Sequence, residues 1–153
     1  MDPETYIIEK ACPEDVKWIA RFQLALAFES ENLCLDLAVV TQGVQHVFEN
    51  PSQGFYIVAR YNSQVPVGCL LVLKEWSDWR NAEVWWLHSV YVSPDHRRRG
   101  VFTKMFEYVE TLARSSGARG LRLYVDKNNK QAQAVYSRLK MSKEHYELFE
   151  KMF

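Results

Sequence analysis

Two rhythms of apolar and polar residues run along this chain, and the changes between them mark its elements. Thr5-Tyr6-Ile7-Ile8-Glu9 is β-rich and predicts a first strand. Pro13, Glu14 and Asp15 then signal a helix start, with proline in the first turn and acids at the positive end of the dipole. Val16, Ile19, Phe22, Gln23 and Leu26 recur at helical spacing to about Phe28, and Glu29-Ser30-Glu31-Asn32 reads as a polar link. Asp36 is placed to cap a second helix carrying Val40, Val44, Val47 and Phe48, which Asn50-Pro51 stops.

The period then shortens. Gly54–Ala59 and Val67–Leu73 are β-rich runs joined by the turn Tyr61-Asn62-Ser63-Gln64, and Trp76–Asn81 turns into the hydrophobic run Val84–Val92. Helical spacing returns with Phe102, Met105, Phe106, Val109, Leu112 and Ala113, ending at Ser116-Gly117. Leu121, Leu123 and Val125 alternate with polar partners as a strand. Asn128-Asn129 opens a helix with Ala132, Val135, Tyr136 and Leu139 on one face, and Glu144–Phe149 predicts a last strand. The order β, α, α, β, β, β, α, β, α, β predicts an α/β (α+β) fold. Its mixed central sheet has about six strands, antiparallel in the hairpins, parallel where helices cross over, and flanked by four helices.

At 153 residues, without a linker, repeat or low-complexity tract, residues 1–153 read as one domain. Lysine plus arginine equals aspartate plus glutamate at 19 each, so no global charge recruits nucleic acid or a membrane surface. Cys12, Cys34 and Cys69 are odd in number and lack C-x-x-C, which fits reduced thiols. Met1–Glu4 is acidic, without an apolar signal core, and no stretch approaches a membrane span; a cytoplasmic protein is expected. No metal is implied.

The chemistry concentrates at His96-Arg97-Arg98-Arg99-Gly100-Val101-Phe102-Thr103, between the hydrophobic strand and the long helix. A strand that turns through glycine into a helix leaves backbone N–H groups unpaired at the positive end of the helix dipole, a natural phosphate site. The three arginines add positive field, although a solvated charge cluster with a capping glycine would read the same way.

The spacing Arg97-x-x-Gly100-x-Phe102 resembles the R/Q-x-x-G-x-G/A pyrophosphate motif of the GCN5-related N-acetyltransferases (the GNAT family). Asn129-x-x-Ala132-x-x-x-Tyr136 resembles that family's second signature, N-x-x-A-x-x-x-Y-x-x-x-G-F, one strand later, where the family places it. The resemblance covers nearly the whole chain. It implies acetyl-CoA (coenzyme A) as donor and a small-molecule or peptide primary amine as acceptor. The pyrophosphate is then expected on Arg97, Arg98, Arg99, Gly100, Val101, Phe102 and Thr103. Pantetheine would lie along Ser89, Val90, Tyr91 and Val92, touching Asn129 and Ala132. The Val90 amide would polarise the thioester carbonyl, and Tyr136 would protonate the leaving thiolate.

Three departures from the family pattern stand out. Phe102 replaces the glycine or alanine, and its ring either crowds the pyrophosphate or turns to the core. Lys140-Met141 replaces Gly-Phe. Trp86 stands where some relatives carry a glutamate base, leaving His88 as base or as a buried structural histidine. Glu29, Glu31, Trp76 and Trp86 are candidates for holding a cationic acceptor, by charge and cation–π contact. No matched position carries a cysteine nucleophile, so direct attack in a ternary complex is expected; a non-catalytic acyl-CoA-binding sensor is the alternative. The strand expected after Met141 would form an open edge, which favours a homodimer.

Overall fold

The computed structural model describes residues 5–153, so Met1–Glu4 lie outside the described residues. Five strands form one sheet in chain order: β1 (Tyr6–Lys10), β2 (Gly54–Tyr61), β3 (Pro66–Ser77), β4 (Ala82–Val92) and β5 (Leu121–Leu123). The first four pair antiparallel through hairpins, and β5 pairs parallel to β4 after a helical crossover. The helices are α1 (Val16–Glu31), α2 (Leu37–Glu49), α3 (Val101–Ser115) and α4 (Lys130–Arg138).

Two cores sandwich the sheet. On one face Met105, Phe106, Val109 and Ala113 of α3 bury against Ile57, Leu70, Val72, Trp85 and Leu87. On the other, Ile19 and Phe22 of α1 and Val44 of α2 bury against Tyr56, Val58, Cys69 and Tyr91. The 3.6-residue stripes of the sequence are these contacts. Asp36 caps α2 as expected, its carboxylate accepting the Ala38 and Val39 amides at 2.8 and 3.2 Å. Asp15, only 3 % exposed, is held by both terminal nitrogens of Arg60, at 3.0 and 2.7 Å. The Arg60 Nε donates to Glu9 of β1 at 2.6 Å, tying the start of α1 to the sheet.

Two expectations need correction. Glu29, Ser30 and Glu31 are not a link but the last turn of α1, which ends at Asn32 in the left-handed conformation, φ 53°. An asparagine tolerates that geometry and so hides the helix end from a search for glycine. The last strand, expected over Glu144–Phe149, does not form: the sheet has five strands, β5 stops at Leu123, and residues 142–153 are exposed without regular structure. A strand needs an edge to pair with, and its propensity alone does not supply one.

Candidate active site

The site is built where β4 and β5 part. Their parallel pairing covers Trp85↔Leu121, Trp86↔Arg122 and Leu87↔Leu123, and then ceases. Beyond Leu87, the β4 edge that faces away from β3 has no strand beside it among the described residues. At that point β4 is bulged. Cys69 of β3 pairs with Tyr91 and Leu71 with His88, so Ser89 and Val90 together oppose the single residue Leu70. Ser89 has φ 52°, the left-handed region, which turns the following amide off the regular ladder. The buried Cys69 thiol lies 3.8 Å from the Ser89 carbonyl, and the Gln23 side-chain amide of α1 lies 3.7 Å from its sulfur. Burial pushes the Cys69 thiol up to about 12, so it stays a neutral donor.

The loop from β4 to α3 is fastened at its middle, by His96 and Arg97. His96 shares a hydrogen bond with the Tyr6 hydroxyl at 2.9 Å and packs against the rings of both Tyr6 and Tyr61. Arg98 and Gly100 take left-handed backbone angles, φ 62° and 77°. The α3 ladder begins with Lys104 N–H to the Gly100 carbonyl at 3.1 Å, leaving the amides of Val101, Phe102 and Thr103 ahead of it. Gly100 carries no capping side chain, and a Cβ built there meets nothing within 4 Å, so the cradle is open above the helix end. This open amide cluster fits a diphosphate.

Arg97 does not point into that cradle. Its Nε donates to the Val92 carbonyl at 2.7 Å, its Nη2 pairs with Glu29 at 2.7 Å, and its guanidinium lies over the Tyr91 ring at 5.4 Å. Glu29 is thereby tied to the loop.

Phe102 turns inward. Its ring stands edge-on to Tyr136 of α4, with centroids 5.7 Å apart and an angle of 70°, and packs on Phe106 at 6.1 Å. The residue that departs from the motif thus leaves the amides clear and braces Tyr136. Burial raises the Tyr136 hydroxyl above its ordinary value. Asn129 caps α4, its Oδ1 accepting the Ala132 amide at 3.0 Å, and Ala132 and Tyr136 follow on one half-buried face.

On the α1–α2 side of the sheet a groove of about 300 Å³ is lined by Gln23, Leu26, Ala27, Ser30, Glu31, Leu35 and Ser89. Of the four residues expected to hold an acceptor, Glu31 alone lines it. Trp86 lies alongside on the sheet, stacked on His88 at 5.9 Å and packed on Tyr124 at 4.6 Å. Its indole N–H donates to Glu75 at 3.1 Å, a carboxylate that also accepts from Arg122 at 3.1 Å. Burial lowers the pKa of His88, favouring the neutral imidazole. Trp76 is 61 % exposed near the hairpin tip, five residues along β3 from the partner of His88, roughly 17 Å of strand away. The groove's apolar wall was missed in the sequence; its one signal was Gln23, a polar residue inside an apolar stripe.

A mixed sheet whose fourth and fifth strands part beside a bulge, and a helix that starts on open amides, frame the site. Residues 21–141 match the model of the acetyltransferase (GNAT) family, and the chain belongs to that family. It is similar to the crystal structure of a possible acetyltransferase from Clostridium difficile 630, at 35 % identity over 97 % of both chains and a TM-score of 0.88. The fold is also that of an aminoglycoside acetyltransferase from an uncultured soil metagenomic sample, at 18 % identity, 97 % and 96 % coverage and TM-score 0.78. Glucosamine-6-phosphate N-acetyltransferase from Arabidopsis thaliana shares it too, at 16 % identity, 98 % and 100 % coverage and TM-score 0.76. No protein of curated function matches the chain. Among the described residues no helix is long and apolar enough to cross a membrane.

Proposed function

We propose that the chain is a single-domain cytoplasmic N-acetyltransferase, moving the acetyl group of acetyl-CoA to a primary amine by direct attack in a ternary complex. The observation that carries this reading is the bulge at Ser89 and Val90, on the strand that β5 leaves after Leu87 and that leads into the loop ahead of α3. Acetyl-CoA, when bound, supplies a thioester already activated toward amines. The amides of Arg98 to Thr103 hold its pyrophosphate, and the free edge of Ser89–Val92 orients its pantetheine amides as an added strand would. The Asn129 Oδ1 is committed to its cap, which leaves the Nδ2 for pantetheine. The Val90 N–H stabilises negative charge developing on the carbonyl oxygen.

His88, held neutral by burial, accepts the proton that an ammonium must lose before it attacks. Tyr136, kept protonated by its raised pKa, gives its proton to the departing sulfur. Glu31, in the groove wall, favours a cationic acceptor. A coenzyme A sensor without turnover draws less support, because the Phe102 ring packs on Tyr136 rather than over the loop amides.

The test is free-thiol release from acetyl-CoA against a broad amine panel, beside calorimetry with acetyl-CoA alone. Saturable binding with amine-dependent release is expected. Binding without turnover on any amine would replace the transferase by the sensor, and absence of binding would remove both.

A further inference from the structure

Trp86 is gripped from both neighbouring strands. Its partner on β3 is Leu73, which makes Glu75 its diagonal neighbour, and its partner on β5 is Arg122. One Glu75 oxygen accepts the indole N–H at 3.1 Å, and the other accepts from the Arg122 guanidinium at 3.1 Å. That guanidinium also lies over the indole, 5.9 Å from the ring centre. Both carboxylate oxygens are thus engaged, and the indole has little freedom to turn.

His88 stands two residues further along the same face of β4. Its ring lies 5.9 Å from Trp86 and 6.0 Å from Tyr124, which are themselves 4.6 Å apart, all within the ~4.5–7 Å range of aromatic pairs. Among the described residues the imidazole has no hydrogen-bond partner, and no buried side-chain nitrogen or oxygen goes unpaired. Both ring nitrogens therefore reach solvent, beside Ser89 in the groove wall. A base needs orienting, ordinarily by a hydrogen bond from a third group. Here ring contacts alone can orient it.

Around the imidazole stand Leu71 directly opposite on β3, the paired charges of Glu75 and Arg122, the Tyr124 phenol, and Glu31 of α1 in the groove wall. Burial, and no neighbouring charge, sets the direction of the His88 shift.

We propose that Trp86, locked by Glu75, is a positioning residue: with Tyr124 its ring cages the His88 imidazole and fixes where the base stands. The ammonium proton then moves to an imidazole nitrogen while its electron pair stays on the amine. The tryptophan that displaces the glutamate of some relatives does not take the proton; it holds the residue that does. The catalytic part of this inference rests on the transferase reading with His88 as base, whereas the cage does not.

The test is proton NMR titration of the His88 ring, assigned by its loss in His88→Gln, in the parent and in Trp86→Ala and Glu75→Met. Glu75→Met keeps every ring and removes only the indole's acceptor. In both variants the imidazole should titrate closer to the ordinary histidine value, because less of it is buried. The acid limb of kcat/KM should move up with it. In Trp86→Ala kcat should fall about 10–10²-fold, the worth of a misplaced catalytic group, with KM for acetyl-CoA unchanged. Trp86→Phe, which restores a ring, should recover most of the rate. A titration that does not move in either folded variant would overturn the cage, and this readout decides even if no amine is turned over. A titration that moves while kcat and the acid limb stay put would overturn the positioning role, with transfer itself intact.

Discussion

Arg97 and Glu29, 68 residues apart, meet in a 2.7 Å ion pair that fastens the last turn of α1 to the loop ahead of α3. The same guanidinium holds the Val92 carbonyl and covers the Tyr91 ring, whose hydroxyl lies 3.5 Å from Glu29. Burial first, and the Glu29 charge second, raise the Tyr91 pKa, so the hydroxyl stays a neutral donor to the carboxylate.

Because both partners of that pair are about two-fifths exposed, the pair contributes little to stability, at most ~1 kcal/mol. Its effect is on the field at the loop. Glu29→Gln removes a negative charge beside the phosphate cradle, and acetyl-CoA should bind about two- to five-fold more tightly at low ionic strength, the gain vanishing in high salt. Calorimetry at two salt concentrations checks this; weaker binding in the variant would mean that the brace shapes the cradle.

Gly100→Trp should weaken acetyl-CoA binding by tenfold or more, an order-of-magnitude expectation for filling a backbone cradle with a side chain. The Cβ direction at Gly100 is empty, so the indole has room to project, while the left-handed φ of 77° strains any side chain placed there and shifts the loop amides. Unchanged affinity would move the pyrophosphate elsewhere.

Tyr136→Phe keeps the edge-on contact with Phe102 and removes only the hydroxyl. The rate should fall about 10²–10⁴-fold, in kcat more than in KM, with cofactor affinity and melting temperature nearly unchanged. A purely structural tyrosine gives the reverse, with normal kcat at saturation and lower stability.

His88 supplies a pH signature. Burial lowers its folded-state pKa, so the unfolded chain binds more protons as pH falls below about 6.5. Stability from this group is therefore complete above that value and is lost on acidification, down to the folded pKa. The acid limb of kcat/KM should lie below the ordinary histidine range for the same reason, and His88→Gln should abolish it. A limb that survives in the Gln variant would assign the proton to another group.

Arg60→Met tests the fold alone. Burial alone would raise the Asp15 pKa, but the Arg60 hydrogen bonds and the Cys12 amide outweigh it and lower it. Deleting the arginine leaves an unpaired carboxylate almost without solvent, at a cost of about 3 kcal/mol by thermal unfolding at neutral pH. The difference should shrink as pH falls through the folded pKa of Asp15, because its lowered pKa contributes stability only where the carboxylate is ionised.

What this sequence determines by itself is everything that depends on neighbours along the chain. The stripe Met105, Phe106, Val109 and Ala113 specifies a one-sided helix, Asp36 and Asn129 cap the helices they precede, and Gly100 opens the loop ahead of α3. Period and capping are local physics, so family and fold class are legible there. Tertiary structure decides the rest. The bulge at Ser89 exists only through the register of β3 against β4, and the Phe102 ring faces inward to meet Tyr136 of α4 and the core around Phe106. Arg97 reads as a phosphate ligand until Glu29 comes within reach. Glu144–Phe149 has the composition of a strand, yet a strand is a relation between two segments, and here the tail pairs with neither edge of the sheet.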